Sequence, residues 1–169
     1  MSGLFRFPNP VNELAARTVA GGVLALTGLT LILSLAVGSS WLWLSVGLAY
    51  GFLARVLTGP TLSPLGQLAS RVIAPRLGPA RPVPGPPKRF AQAMGATMSL
   101  AAVVLHFGFG WDGAAEVVLV LIVVAASLES VFAYCLGCKV FAVLMRAGWV
   151  PEAACAACAD ISLRTSLTR

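Results

Sequence analysis

Residues 113–140 read GAAEVVLVLIVVAASLESVFAYCLGCKV. Up to Tyr134 the only charged side chains are Glu116 and Glu129, and the rest is apolar, small or hydroxylic. That length and character match the about 20 residues a helix needs to cross a bilayer. Cys135 and Cys138 follow at once as a CxxC pair. A second pair, Cys155 and Cys158, stands in EAACAACADI, and these are the only four cysteines in the chain. The stretch thus fixes the fold class as a membrane helix and raises the chemical question of what two dithiols do at its end.

Three more segments have the same character: Thr18 to Val37, Trp41 to Leu57 and Ala91 to Gly110, with the fourth about Gly113 to Tyr134. Over 169 residues, 58% are hydrophobic and 11% are charged, against about 25% charged in soluble domains. Mean hydropathy is +0.88. A buried soluble core does not explain so large a shortage of charge. The reading is an all-α integral membrane protein, a single domain over 1–169. Lipid obliges each span to satisfy its own backbone hydrogen bonds, so the spans are helices. The turns at 38–40 and 111–112 are short, which predicts two antiparallel hairpins. They are linked by a loop over 58–90 and followed by a cysteine-bearing segment over 135–169.

Charge placement predicts the orientation. All twelve Lys and Arg residues lie outside the two short turns. Arg6 and Arg17 precede the first span and Arg55 ends the second. Arg71, Arg76, Arg81, Lys88 and Arg89 fill the loop, and Lys139, Arg146, Arg164 and Arg169 follow the fourth span. The positive-inside rule puts that side, both termini and both CxxC pairs in the cytoplasm. Trp41, Trp43 and Trp111 then mark the opposite interface. The net charge of +6 serves topology and anionic headgroups, and the lipid bilayer rather than nucleic acid is the expected partner. No cleavable signal peptide is expected.

Outside the spans, Asn9-Pro10 reads as the cap and first residue of a helix running through NELAAR into the membrane. Ser63-Pro64 is a second cap signal. Leu65, Leu68, Val72 and Ile73 follow at helical spacing, which predicts a short helix in the cytoplasmic interface. Five prolines from Pro79 to Pro87 predict an extended strap returning the chain to the third span. KVFAVLMRAGWV predicts an interfacial helix ended by Gly148 and Pro151, with another short helix carrying Cys155 and Cys158.

The cysteines admit two sharp readings. In a dithiol, one thiolate attacks a disulfide and the second resolves it, and CxxC spacing brings the sulfurs within reach. Gly137 suggests a helix break, and a new helix starting near Cys135 would lower its pKa, with Lys139 acting the same way. The partner would be a thioredoxin-like protein. Alternatively Cys135, Cys138, Cys155 and Cys158, two hooks with sixteen intervening residues, form a four-thiolate zinc site with a scaffold role. An iron–sulfur cluster has the ligand count only. Structural stapling is disfavoured in a reducing compartment.

Glu129 lies inside the fourth span, six residues before Cys135, or about 9 Å along a helix. An intramembrane carboxyl is a functional candidate, here as a proton acceptor for the thiol or part of a soft-metal or sulfur-species path. The competing reading is a protonated acid bonded to Ser127, Ser130 or a neighbouring helix. His106 and Glu116 flank the second short turn at similar depth, which predicts that they approach. The Gly-, Ala- and Thr-rich first and third spans predict a close packing seam. No serine-hydrolase, nucleotide-loop or paired-carboxylate pattern is present.

The stretches FPNPVNELAAR, PRLGPARPVPGPPKRFAQAMG, CLGCKVFAVLMR and PEAACAACADI together resemble a bacterial membrane family known as domain of unknown function 4395. The resemblance runs from about residue 7 to 161, and CLGC and PPKRFAQ are its most specific parts. It implies a small four-helix protein of the bacterial inner membrane with cysteines at the cytoplasmic face, and carries no catalytic assignment. The functional expectation is thiol–disulfide chemistry by Cys135 and Cys138 with help from Glu129. The alternatives are the zinc scaffold and a soft-metal or sulfur carrier.

Overall fold

The structure is a computed structural model that describes residues 7–155. Four of its helices are long and apolar enough to cross a membrane: Glu13–Ala36, Ser39–Thr58, Gly85–Gly108 and Asp112–Phe132. Their outward faces carry exposed apolar side chains such as Leu29, Ile32, Leu53, Val117, Val120 and Val124. Water would not tolerate such a surface, whereas hydrocarbon would. The first long helix is α1, Glu13–Ala36. A 3-10 turn, Ser39–Trp43, leads into α2, Leu44–Thr58. α5, Gly85–Val103, continues as a π-helical turn through Gly108, and α6 is Asp112–Phe132.

The most extensive packing is between α2 and α5 and between α1 and α6. Small residues make this close approach possible, although the small-residue first and third spans meet the fourth and second spans rather than each other. Gly21 of α1 faces Ser130 of α6, and Gly95 of α5 lies against the Phe52 ring of α2. Thr27, Thr30, Ser45 and Ser99 are fully buried. Each returns its hydroxyl proton to a carbonyl on the preceding turn, as in Thr27 Oγ1 to Val23 O at 2.7 Å, so none of these four hydroxyls is stranded.

Between the long helices, α3, Pro64–Leu68, runs through a π-helical turn, Ala69–Ile73, into α4, Ala74–Leu77. Pro75 has no N–H to donate, and the widened turn precedes it. Ser63 caps α3 as expected, accepting from Gly66 N at 3.2 Å. Leu65 packs onto Gly22 of α1, while Leu68 and Val72 are exposed.

Two boundaries differ from the sequence reading. The cap of α1 is Asn12, not Asn9. Asn12 Oδ1 accepts from Leu14 N at 3.1 Å and from Arg81 N at 3.2 Å. Asn9 instead accepts from Gly85 N at 3.0 Å. Both asparagines tie the N-terminal segment to the proline strap, and a short antiparallel bridge joins Val11–Asn12 (β1) to Pro82–Val83 (β2). The third long helix starts at Gly85, not Ala91. Pro86 and Pro87 fall in its first turn, where the missing N–H groups have no helical acceptor to lose, so the extended strap stops at Pro84.

His106 and Glu116 find other partners. His106 Nδ1 lies 2.6 Å from Asp112 Oδ1, and Glu116 accepts from Ser34 Oγ at 2.7 Å.

Candidate functional site at the start of the seventh helix

α6 does not run on to the cysteines. It ends at Phe132, and Ala133 takes a left-handed conformation with φ 56°. Its cap N–H bonds to Leu128 O, and Tyr134 N donates to the same carbonyl at 3.0 Å. The chain then turns into α7, Leu136–Arg146. The 9 Å axial separation expected between Glu129 and Cys135 therefore does not apply. Reversal of the chain brings them to the wall of one cavity.

Cys135 is the residue that caps α7, with extended φ and ψ, and its carbonyl accepts the first bond from Lys139 N at 3.2 Å. Cys138 is three residues on, in the first turn. Gly137 between them is buried because α7 lies directly on α5 there. A Cβ at Gly137 would stand 2.5 Å from Ala91 Cβ. One turn later the Phe141 and Phe90 rings meet at 5.6 Å, fixing the angle of approach. Both thiols are free; Cys135 is buried and Cys138 half-buried.

Across from them stands an ion pair the sequence reading had not assembled. Lys88 Nζ of α5 donates to Glu129 Oε1 of α6 at 2.6 Å, with side-chain exposures of 11% and 15%. In sequence Lys88 reads as a topogenic loop charge, whereas α5 starts at Gly85 and carries it on its first turn. PPKRF read as a proline-started helix would have placed it on a first turn. Glu129 thus has a cationic partner rather than Ser127 or Ser130, whose hydroxyls bond to carbonyls within α6.

The two thiols are electrostatically unequal. The Cys138 thiol, acting as donor, holds the Cys135 sulfur below the ordinary thiol pKa. Lys88 and the Cys138 backbone N–H add to this, against burial and Glu129. Cys138 is pushed up, first by its thiol's role as donor to Cys135, then by burial and by the charge on Cys135. Lys139, expected to assist, instead places its ammonium 5.3 Å from the centre of the Tyr134 ring. The cation beside the thiol is Lys88.

Two further arginines are structural in a way their sequence positions did not reveal. Arg17 donates to Ser130 O at 3.2 and 3.0 Å and to Val131 O at 3.1 Å, closing the C-terminal end of α6. Arg55, only 5% exposed, donates to Gln92 Oε1 at 2.8 Å and Ser63 Oγ at 3.2 Å.

Cys155 is buried and disulfide-bonded at the end of a 3-10 turn, Glu152–Cys155, which packs on α5. Cys158 lies outside the described residues. Among the described residues, no three His, Cys, Asp or Glu side chains are grouped as metal ligands.

A family profile described as a domain of unknown function, DUF4395, matches residues 11–146. The chain belongs to that family. The matched segment contains Lys88, Glu129, Cys135 and Cys138, and stops short of PEAACAACADI. For DUF4395 the first CxxC pair is therefore inside the shared fold, and the second lies beyond it. No curated protein and no solved structure matches the chain.

Proposed function

We propose that this DUF4395 protein is a thiol–disulfide exchanger of the bacterial inner membrane, with two antiparallel helix hairpins and both termini in the cytoplasm. α3, α4 and α7 then lie in the cytoplasmic interface, and the partner is a soluble thioredoxin-like protein. The supporting observation is the asymmetry of the dithiol. Cys135 caps a helix beside Lys88, and its pKa is lowered while that of Cys138 is raised. An attacking and a resolving thiol need this inequality. The orientation rests on the one-sided distribution of Lys and Arg.

In the exchange, Cys135 thiolate attacks one sulfur of the partner's disulfide, and the other sulfur leaves as thiolate. Cys138 then attacks Cys135 Sγ in the mixed disulfide and releases the partner's second thiolate. Glu129, held by Lys88 on the wall of the same cavity, receives the proton Cys138 gives up. Two electrons pass to the partner, and Cys135–Cys138 becomes a disulfide.

Sealed inverted and right-side-out membrane vesicles, equilibrated in graded thiol/disulfide buffers and labelled with an impermeant maleimide, test both parts. Cys135, and more slowly Cys138, are expected to label only in inverted vesicles. They should lose labelling together, as a two-electron couple, when the buffer becomes oxidising. Labelling in right-side-out vesicles would reverse the orientation. Labelling that appears only after a zinc chelator is added would favour metal-held thiolates at Cys135 and Cys138 over exchange.

A further inference from the structure

The cavity that Cys135 and Glu129 line extends into the bundle, with a volume of about 320 Å³. This is within the range of small-ligand sites, roughly 300–1,000 Å³. Its walls are unequal. Away from the thiol they are apolar and include Val23, Phe52, Met94, Met98 and Ile122. Its polar side chains are Gln92, Glu129 and Cys135.

Those polar groups restrict the ligand. Lys88 and Glu129 neutralise one another, so a phosphate or carboxylate gains no free cation there. Gln92 Oε1 is occupied by Arg55 Nε, which is only a donor. The amide is thereby oriented, and its Nε2 group carries no hydrogen bond among the described residues. Gln92 lines this cavity and the adjacent one that Arg55 lines, and in this cavity its amide is a neutral donor that a ligand carbonyl could meet. Cys135 offers a nucleophilic sulfur to an electrophilic carbon. Phe and Met walls suit a flat aromatic ring.

We propose that the cavity binds a membrane quinone, which takes the electrons of the Cys135–Cys138 dithiol. The proposal rests on the exchange reading above and names its membrane-side acceptor. Cys135 thiolate adds to a ring carbon, forming a C–S bond. Cys138 attacks Cys135 Sγ, the S–S bond forms, and the C–S bonding pair returns to the ring. The two thiol protons end on the two quinone oxygens. One disulfide and one quinol result, with two electrons transferred. The exchange above, run in reverse, lets a partner's dithiol reduce the new disulfide and reset the protein, the partner leaving as its own disulfide.

The test uses full-length protein in nanodiscs and menadione, with 2-methylnaphthalene as the carbonyl-free control. The Cys135→Ser/Cys138→Ser double variant isolates binding from chemistry. It is expected to bind one menadione saturably and 2-methylnaphthalene at least tenfold more weakly. Gln92→Leu in the same background should weaken menadione at least fivefold while leaving 2-methylnaphthalene unchanged. A variant filling the cavity, Ala126→Leu, should weaken both. Reduced wild-type protein, mixed anaerobically with menadione, should form one quinol per Cys135–Cys138 disulfide. Absence of saturable binding overturns the proposal and leaves exchange with a soluble partner standing. Equal binding of the two probes overturns it too, since the cavity then reads apolar bulk as an acyl chain would supply. Menadione bound without electron transfer overturns the redox step. Thiols that also fail to cycle in thiol/disulfide buffers would locate the failure in the exchange reading itself.

Discussion

Lys88 and Glu129 are two charges in a setting where charge is costly. The effective penalty for moving such ions out of water is several kcal/mol each even after relaxation, and a close pair offsets it only while both members are present. Their 2.6 Å contact and low exposure make them dependent on one another. Lys88→Met and Glu129→Leu are each expected to lower stability by about 3–5 kcal/mol, because each leaves a buried unpaired charge. The double variant should recover most of the loss. Unfolding by denaturant in mixed micelles measures this, and a double variant no more stable than either single one would refute the coupling. The same pair acts on the sulfur. Lys88 favours the Cys135 thiolate and Glu129 opposes it, so the ion pair tempers the charge the thiol feels.

At the scale of the element, the site depends on how closely α7 meets α5. Gly137 is required by contact rather than by conformation: a methyl group there would stand 2.5 and 2.6 Å from Ala91 Cβ and Cα. Gly137→Ala is expected to lift the start of α7 from α5 and to cost about 1–3 kcal/mol, the usual range for overpacking. It should also increase the accessibility of Cys135, read as faster labelling by a bulky maleimide. Unchanged stability and labelling would mean that the helices are not in that contact. The elements also separate what was legible in the sequence from what was not. The four spans were readable because hydrophobic length is a local property. The start of α5 was not, because a proline run has the same composition whether it extends a strap or opens a helix. The cap of α1 was misread for a related reason. Asn9 and Asn12 are both competent caps, and the strap strand at Pro82–Val83 decides between them.

At the scale of the whole molecule, a helix distant in sequence joins two consecutive ones to build the site: α5 brings Lys88, α6 brings Glu129, and α7 brings the thiols. The CxxC pair was visible because its members lie within one helical turn. Its cationic neighbour was not, because no local pattern links Lys88 to a glutamate 41 residues away. Lys139, adjacent in sequence, was the natural but incorrect candidate. The reach of DUF4395 follows the same boundary, covering the three-helix site and ending before Cys155. Because the Cys135 pKa is lowered on folding, the thiolate contributes stability that is present above the ordinary thiol pKa. That contribution is lost as the pH falls through the lowered one. The most direct measurement is the pH dependence of iodoacetamide alkylation of the reduced, metal-free full-length protein in nanodiscs, resolved cysteine by cysteine by mass spectrometry. Cys135 should react with an inflection below the ordinary thiol value of about 8.5, while Cys138 stays slow throughout. An inflection for Cys135 at or above that value, or Cys138 reacting first, would contradict the account.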